Sequence, residues 1–169
     1  MAKLRIAGIT RESVTDGPGI RLVVYTQGCP HRCEGCHNPE TWDVSGGYEI
    51  DSEKILELIA NNPLLAGLTV SGGEPFLQEK NLLELVLKVA DLGRNTVIYT
   101  GYTFEELMKI SEKKPEVLEI LQTADYLVDG RFLQDLKNLK LPFRGSSNQR
   151  FIDLKKTFSQ KQIVECQWE

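Results

Sequence analysis

The residues most able to do chemistry are three cysteines in one short stretch, TQGCPHRCEGCHNPETW (26–42). Cys29, Cys33 and Cys36 have the spacing C-x3-C-x2-C, which lets one loop bring three thiolates to one inorganic centre. A 4Fe-4S cluster held by three cysteines keeps one iron without a protein ligand, and a substrate can bind there. We therefore predict a cluster loop over residues 28–38 with these three cysteines as metal ligands.

A closed zinc site is the alternative for the same cysteines. Zinc accepts three cysteines and one histidine in a tetrahedral site, and His31 or His37 could be the fourth ligand. Cys166, near the C-terminus, is another candidate for that position, although we expect it to be a free thiol. We expect both histidines to be ordinary polar residues of the loop, with His37 able to contact whatever binds the open iron.

Composition predicts one compact domain over residues 1–169. The chain is 41% hydrophobic, which is enough for a substantial core. The net charge is −4, and the basic residues are scattered among acidic ones, so we expect no nucleic-acid partner. We also expect no membrane association, since no run approaches the ~20 apolar residues of a span. The expected location is the cytoplasm, where reduced thiols favour metal binding over disulfides.

Short β-rich runs alternate with segments of helical period. Strands are predicted at IRLVVYTQ (20–27), GLTVSGG (67–73), NTVIYTG (95–101) and ADYLVDG (124–130). Helices are predicted at 51–62 and about 79–92, at a capping box of Thr103 and Glu106, and at Pro115. The segment 151–169 is expected to be a strand or tail on the sheet. This order predicts an α/β fold with parallel strands, either an open sheet or a partial (β/α) barrel, since a full barrel takes about 250 residues.

The ends of these strands carry the unusual residues of the chain. In parallel α/β folds, ligands bind beyond the carboxyl ends of the strands. The four predicted strands run into the cysteine loop and into the segments Ser71–Pro75, Thr100–Tyr102 and Asp129–Arg131. We therefore predict one common site at that edge of the sheet.

The cysteine triplet after a first strand, followed by SGGEP (71–75) after a second, resembles the radical S-adenosylmethionine superfamily. The resemblance implies a partial barrel, a 4Fe-4S cluster on the three cysteines, and S-adenosylmethionine chelating the open iron through its methionyl amino and carboxylate groups. It also implies that Ser71, Gly72, Gly73 and Glu74 receive the methionyl end. Glycines permit close backbone approach, and exposed carbonyls accept from an ammonium group. On its own, SGGEP fits a simple strand-to-helix turn as well as it fits a ligand-binding loop.

Further site residues follow from the same resemblance. Gly35, Cys36 and His37 are expected against the adenosyl group, although superfamily members often have an aromatic residue where His37 stands. Thr100, Gly101 and Asp129 are expected to contact the ribose or carboxylate. The resemblance implies no catalytic residue beyond the cluster and the S-adenosylmethionine site, because the bound groups supply the difficult chemistry.

Other motifs indicate a branch of that superfamily. DGPGIR (16–21) and HNPETW (37–42) resemble activases of glycyl-radical enzymes, and the first is expected to help admit the partner's glycine loop. YTGY (99–102), DGRFLQDLK (129–137) and RGSSNQR (144–150) resemble the activating proteins of anaerobic ribonucleotide reductases. The reaction implied is reductive cleavage of S-adenosylmethionine to methionine and a 5′-deoxyadenosyl radical, which takes a hydrogen atom from a glycine of the reductase.

The implied partners are the anaerobic ribonucleotide reductase, through its glycyl-radical loop, and a flavodoxin-like electron donor. One alternative is the activation of another glycyl-radical enzyme such as pyruvate formate-lyase, or radical modification of a small molecule. An alternative of a different class is a non-catalytic zinc or iron-sulfur electron-transfer module.

Overall fold

The computed structural model describes residues 2–167, in which seven strands form one sheet flanked by helices. The strands are β1 (Lys3–Ser13), β2 (Arg21–Thr26), β3 (Tyr48–Asp51), β4 (Gly67–Gly72), β5 (Asn95–Tyr99), β6 (Tyr126–Asp129) and β7 (Arg150–Asp153). The helices are α1 (Ser52–Ala60), α2 (Glu79–Asp91), α3 (Phe104–Ile110), α4 (Pro115–Thr123) and α5 (Leu154–Gln160). The strand order across the sheet is β3-β1-β2-β4-β5-β6-β7.

The centre of the sheet is parallel, as the alternating strands and helices predict. β2, β4, β5 and β6 pair in parallel and in register, with Tyr25 opposite Ser71 and Val70 opposite Ile98. These are the four predicted strands, so the α/β class and the parallel strands are confirmed. Their carboxyl ends therefore lie at one edge, where the cysteine loop and the three other predicted loops begin.

The sequence predicts only parallel strands, but the strands at the two sides of the sheet pair antiparallel. β1 pairs antiparallel with β2 and β3, and β7 pairs antiparallel with β6. Within residues 2–167 the sheet runs from β3 to β7, and these two edge strands are not paired with each other. β1 is exposed or half-buried along much of its length, unlike the buried runs that identified the central strands.

The helices pack on one face of the sheet and form most of the core. Leu82, Leu85, Val86 and Val89 of α2 are buried, as their spacing predicts. The predicted capping box at the start of α3 is formed, with the Thr103 side chain accepting from Glu106 N at 3.1 Å. Pro115 lies in the first turn of α4, as expected for a residue without an amide hydrogen.

The opposite face of the sheet carries a smaller apolar cluster and a buried cation. Val97, Val128 and Phe151 are its buried residues. The Arg21 side chain is fully buried and donates to Thr69 Oγ1 at 2.7 Å and Leu68 O at 2.8 Å. Burial lowers the pKa of Arg21 to about 10. Since Thr69 Oγ1 also donates to Asp16 O, the DGPGIR segment lies across this face of the sheet.

The C-terminal part of the chain continues the sheet and then covers β7. After β7 and α5, Cys166 N donates to Phe151 O at 2.8 Å, so the last described residues lie along β7. The predicted C-terminal segment extends to 169, and its last two residues lie outside the described residues. Over residues 2–167, the helices all fall short of the length and apolarity that crossing a membrane requires.

Candidate active site

The four predicted loops meet around one cavity at the carboxyl edge of the parallel strands. The cysteine loop contributes Cys29, His31, Cys33, Cys36 and His37 to its wall. The later loops contribute Ser71, Gly72, Gly73, Thr100, Gly101 and Gly130. The four loops therefore come together at one edge of the sheet, as the sequence predicts.

The cysteine loop is fixed to the rest of the protein through its backbone. Gly28 N donates to Thr41 O at 2.6 Å, and Cys29 N donates to Trp42 O at 3.1 Å. Within the loop, Cys36 N donates to Cys33 O at 3.1 Å, which closes a tight turn between two cysteines. Gly35 lies in this turn with a φ of +74°, a conformation that favours glycine. The glycine between the second and third cysteines thus follows from the geometry of this turn.

The three cysteines are partly exposed free thiols on the wall of one cavity. Burial raises the pKa of the Cys29 and Cys33 thiols, and nearby backbone N–H groups oppose this increase. Within residues 2–167, no group of three or more His, Cys, Asp or Glu side chains is arranged to hold a single metal ion. In a 4Fe-4S cluster each thiolate binds a different iron, so three thiols spread around a cavity fit that group.

Gly72 and Gly73 allow the second-strand loop to pack against the start of the cysteine loop. A Cβ atom on Gly73 would overlap Gly28 O and lie 2.9 Å from Gly28 C. Gly72 has a φ of +91°, and its Cβ would lie 2.6 Å from Thr26 N. Both glycines line the cavity, so their backbone is accessible to a ligand. The sequence predicts that these glycines allow a close approach to a cofactor. The structure shows that they also allow a close approach between two segments of the chain.

Glu74, predicted at the methionyl end, is fully buried and absent from the described cavity wall. Its carboxylate accepts from Gly101 N at 2.8 Å, from Phe76 N at 3.1 Å and from Thr100 Oγ1 at 2.8 Å to each oxygen. His31 Nε2 lies 2.7 Å from Glu74 Oε1. The carboxylate points into the protein, whereas the sequence led us to expect that it would face the ligand.

Asp129, predicted to contact the ribose or carboxylate of the cofactor, is likewise 1% exposed and absent from the described wall. Its carboxylate accepts from Phe104 N at 2.8 Å and from Arg150 at 3.1 Å and 2.5 Å. The hydrogen bonds of Arg150 to Asp129, and to a lesser extent those to Glu105, raise the pKa of Arg150 above its ordinary value. The neighbouring Gly130 lines the cavity in its place. Asp129 thus fixes the end of β6.

The structure adds residues to the site that sequence reasoning missed. His31 was expected to be an ordinary loop residue, yet its side chain is 4% exposed and its ring lies edge-on to Tyr102, with centroids 4.6 Å apart. Trp42, Phe132 and Gln149 also line the cavity. Trp42, Phe132 and Gln149 occur in HNPETW, DGRFLQDLK and RGSSNQR respectively, so those motifs were the available signal.

His37 and Cys166 were the open questions of the sequence. His37 lines the cavity, and its ring centroid lies 5.3 Å from that of Phe132, so an aromatic residue from another loop accompanies the histidine. Cys166 packs against the cluster of Val97, Val128 and Phe151, and burial raises its pKa to about 11. Cys166 is absent from the described cavity wall, which argues against a closing ligand.

Comparisons with known proteins identify a matching family and similar proteins. Residues 15–152 match the model of a family described as a 4Fe-4S single cluster domain. The anaerobic ribonucleoside-triphosphate reductase-activating protein of Salmonella typhi is 32% identical over 145 residues, covering 80% of this chain and 90% of that protein. The protein of the same name from Vibrio cholerae is 35% identical over 145 residues, covering 80% and 89%.

A second group of relatives carries a different partner in its name. The pyruvate formate-lyase-activating enzyme of Clostridium pasteurianum is 41% identical over 114 residues, covering 62% of this chain and 48% of that enzyme. The chain therefore belongs to the radical S-adenosylmethionine family of activases for glycyl-radical enzymes.

Proposed function

We propose that this chain activates an anaerobic ribonucleotide reductase by forming a glycyl radical on it. The observation that carries the proposal is the cavity in which a three-cysteine loop meets three glycine-bearing strand ends. When bound and reduced, a 4Fe-4S cluster supplies the electron that splits S-adenosylmethionine into methionine and a 5′-deoxyadenosyl radical, which takes a hydrogen atom from a glycine Cα. The chain's own residues hold, orient and enclose the reactants.

Cys29, Cys33 and Cys36 are the residues that would hold the cluster, and S-adenosylmethionine would bind it through its methionyl amino and carboxylate groups. Their shared position on one cavity wall supports this assignment. The backbone carbonyls of Ser71, Gly72 and Gly73 are proposed to accept from the methionyl ammonium group, since these residues form the adjacent wall.

The adenosyl group is proposed to lie between the cysteine loop and the later strand ends. Cys36 and His37 line the cavity on one side, and Thr100 lines it on the other. Gly35 shapes the turn that presents this part of the loop. Phe132, which packs beside His37, adds an apolar ring to the same wall and is suited to stacking on a purine.

The fold and cellular setting are proposed as follows. Residues 1–169 form one radical S-adenosylmethionine domain, and the sheet is a shortened, partial (β/α) barrel whose parallel centre carries the site. The protein works in the cytoplasm with a flavodoxin-like electron donor. Because β3 and β7 are not paired with each other within residues 2–167, the sheet is open at its sides, which suits a macromolecular partner better than a small molecule.

The test is anaerobic reconstitution followed by reduction in the presence of S-adenosylmethionine and a candidate partner. We expect 5′-deoxyadenosine together with a glycyl-radical EPR signal on the anaerobic ribonucleotide reductase. The similarity to the Clostridium pasteurianum enzyme favours pyruvate formate-lyase as the second candidate, so it is assayed in parallel. A signal on pyruvate formate-lyase alone would transfer the function to that partner, and stoichiometric zinc without cluster absorbance would contradict both.

A further inference from the structure

The carboxylate of Glu74 is the point at which three of the four site loops are joined. Glu74 belongs to the second-strand loop, and its partners Thr100 and Gly101 belong to the third-strand loop. His31, its remaining side-chain partner, lies between the first two cysteines of the cluster loop. A single buried side chain therefore connects the predicted ligands of the cluster to two of the glycine-bearing loops.

The hydrogen-bonding capacity of this carboxylate is already filled by the chain. An ionised carboxylate offers about four acceptor positions. Two are taken by the backbone N–H groups of Gly101 and Phe76, one by the Thr100 hydroxyl, and one by His31. Because backbone donors reach both oxygens, the carboxylate is an acceptor throughout, and we assign the Nε2 proton to His31. No acceptor position is left over for the ammonium group of a ligand.

His31 is held in place by more than this one bond. The edge-on ring of Tyr102 packs against its imidazole. A Cβ atom on Gly101 would overlap the imidazole and lie 2.7 Å from Nε2, so only glycine leaves room for the ring at this position. The pocket for His31 is thus built by the third-strand loop, which also donates to Glu74.

We propose that Glu74 is a positioning residue: through His31 it fastens the cysteine loop in its cluster-binding arrangement before the cluster is inserted, and it does not bind the methionyl ammonium. This rests on the proposed function for the identity of the ligand, although the fastening itself concerns the chain alone. Backbone carbonyls of the second-strand loop then remain as acceptors for the ammonium group. The hydrogen bonds that the chain makes to both carboxylate oxygens explain why an acidic residue is compatible with full burial at this point.

The first test measures the cysteine loop without any cluster. Hydrogen-deuterium exchange of residues 28–38 is followed in the full-length apoprotein for wild type, His31→Leu, His31→Gln and Glu34→Gln. His31→Leu removes the donor and should speed exchange on the order of tenfold, the scale expected when a hydrogen bond to a charged group is lost. His31→Gln retains an N–H donor and should restore most of the protection. Glu34 is an exposed acid of the same loop, so Glu34→Gln should behave as wild type.

The second test separates positioning from ligand binding. Iron release to a chelator and S-adenosylmethionine affinity are measured on reconstituted Glu74→Gln. A glutamine amide must face one of the backbone donors, so we expect faster exchange of residues 28–38 and faster iron release, on the order of tenfold. Weaker S-adenosylmethionine binding with wild-type exchange and iron release would overturn the proposal, because it would identify Glu74 as a ligand.

If Glu74→Gln does not fold, the two variants His31→Leu and His31→Gln still test the proposal. Wild-type exchange in folded His31→Leu would overturn it, and so would equal exchange in His31→Leu and His31→Gln. The exchange measurements need neither cluster nor partner. They can therefore support the fastening even if no glycyl radical forms on any reductase, which would be a failure of the proposed function alone.

Discussion

Replacing Gly73 with alanine should disrupt the packing between the second-strand loop and the cysteine loop. The new Cβ would overlap Gly28 O and lie 2.9 Å from Gly28 C and 3.1 Å from Gly28 N. All three contacts are with backbone, so no side chain can rotate away to relieve them. The two loops must separate, and Gly28 is the residue directly before Cys29, the first proposed cluster ligand. We therefore expect loss of stability together with poorer iron binding.

The size of the effect follows from the contacts that separation breaks. Glu74 N donates to Gly28 O at 2.7 Å, and Gly73 N donates to Thr26 O at 2.8 Å. Losing both costs about 1–3 kcal/mol, and overpacking costs a further ~1–3 kcal/mol. The reduced entropy of the unfolded alanine chain offsets about 0.4–1 kcal/mol of this. We expect a net loss of about 1–5 kcal/mol in the free energy of unfolding.

The assay is anaerobic urea unfolding of the apoprotein, paired with iron and sulfide content after reconstitution. Gly8→Ala is the matched control, since no described atom lies within 4 Å of its Cβ and its φ is not positive. We expect the control to stay within about 0.5 kcal/mol of wild type and to bind full iron. The reasoning would be refuted if Gly73→Ala were as stable as Gly8→Ala and held the same iron.

The remaining predictions concern residues outside the cluster loop. Arg21→Lys should lower the free energy of unfolding by about 2–4 kcal/mol, at least as much as Arg21→Met, because lysine keeps a desolvated charge but lacks the planar, forked guanidinium. The measurement is urea unfolding, and a smaller loss of stability in Arg21→Lys than in Arg21→Met would contradict this. In a variant with Cys29, Cys33 and Cys36 replaced by serine, iodoacetamide should modify Cys166 about 100-fold more slowly at pH 8 than an ordinary thiol, because a pKa raised to about 11 leaves less thiolate. The rate of Cys166 modification should keep rising as the pH approaches 11, and a rate that levels off above pH 9 would contradict a pKa raised by burial of this thiol. Thr103→Ala should cost about 1 kcal/mol through loss of the α3 cap, measured by thermal or urea unfolding, whereas an unchanged stability would mean that the cap contributes little.

The parallel centre of the sheet could be predicted because its strands are short buried runs between helices of clear period. Val97 and Ile98, for example, are both fully buried, since each faces a packed layer on its own side of the sheet. β1 and β3 could not be predicted in the same way. They lie at the side of the sheet, where antiparallel pairing with exposed positions produces a weaker pattern.

The location of the site was predictable, but the direction of its acidic side chains was not. Strand ends bring residues to one edge whatever their side chains do, so Gly72 and Thr100 reach the cavity as expected. Glu74 and Asp129 come to the same edge and yet face into the protein. Their partners His31 and Arg150 are distant in sequence, so only the folded chain identifies the buried contacts.

The most direct test of the account is transfer of deuterium from the partner to the product. The anaerobic ribonucleotide reductase is prepared with glycine deuterated at Cα, mixed anaerobically with the reduced, reconstituted protein and S-adenosylmethionine, and the 5′-deoxyadenosine is analysed by mass spectrometry. We predict 5′-deoxyadenosine that carries one deuterium, in proportion to the glycyl-radical EPR signal. Unlabelled 5′-deoxyadenosine without a glycyl radical would contradict the proposed function.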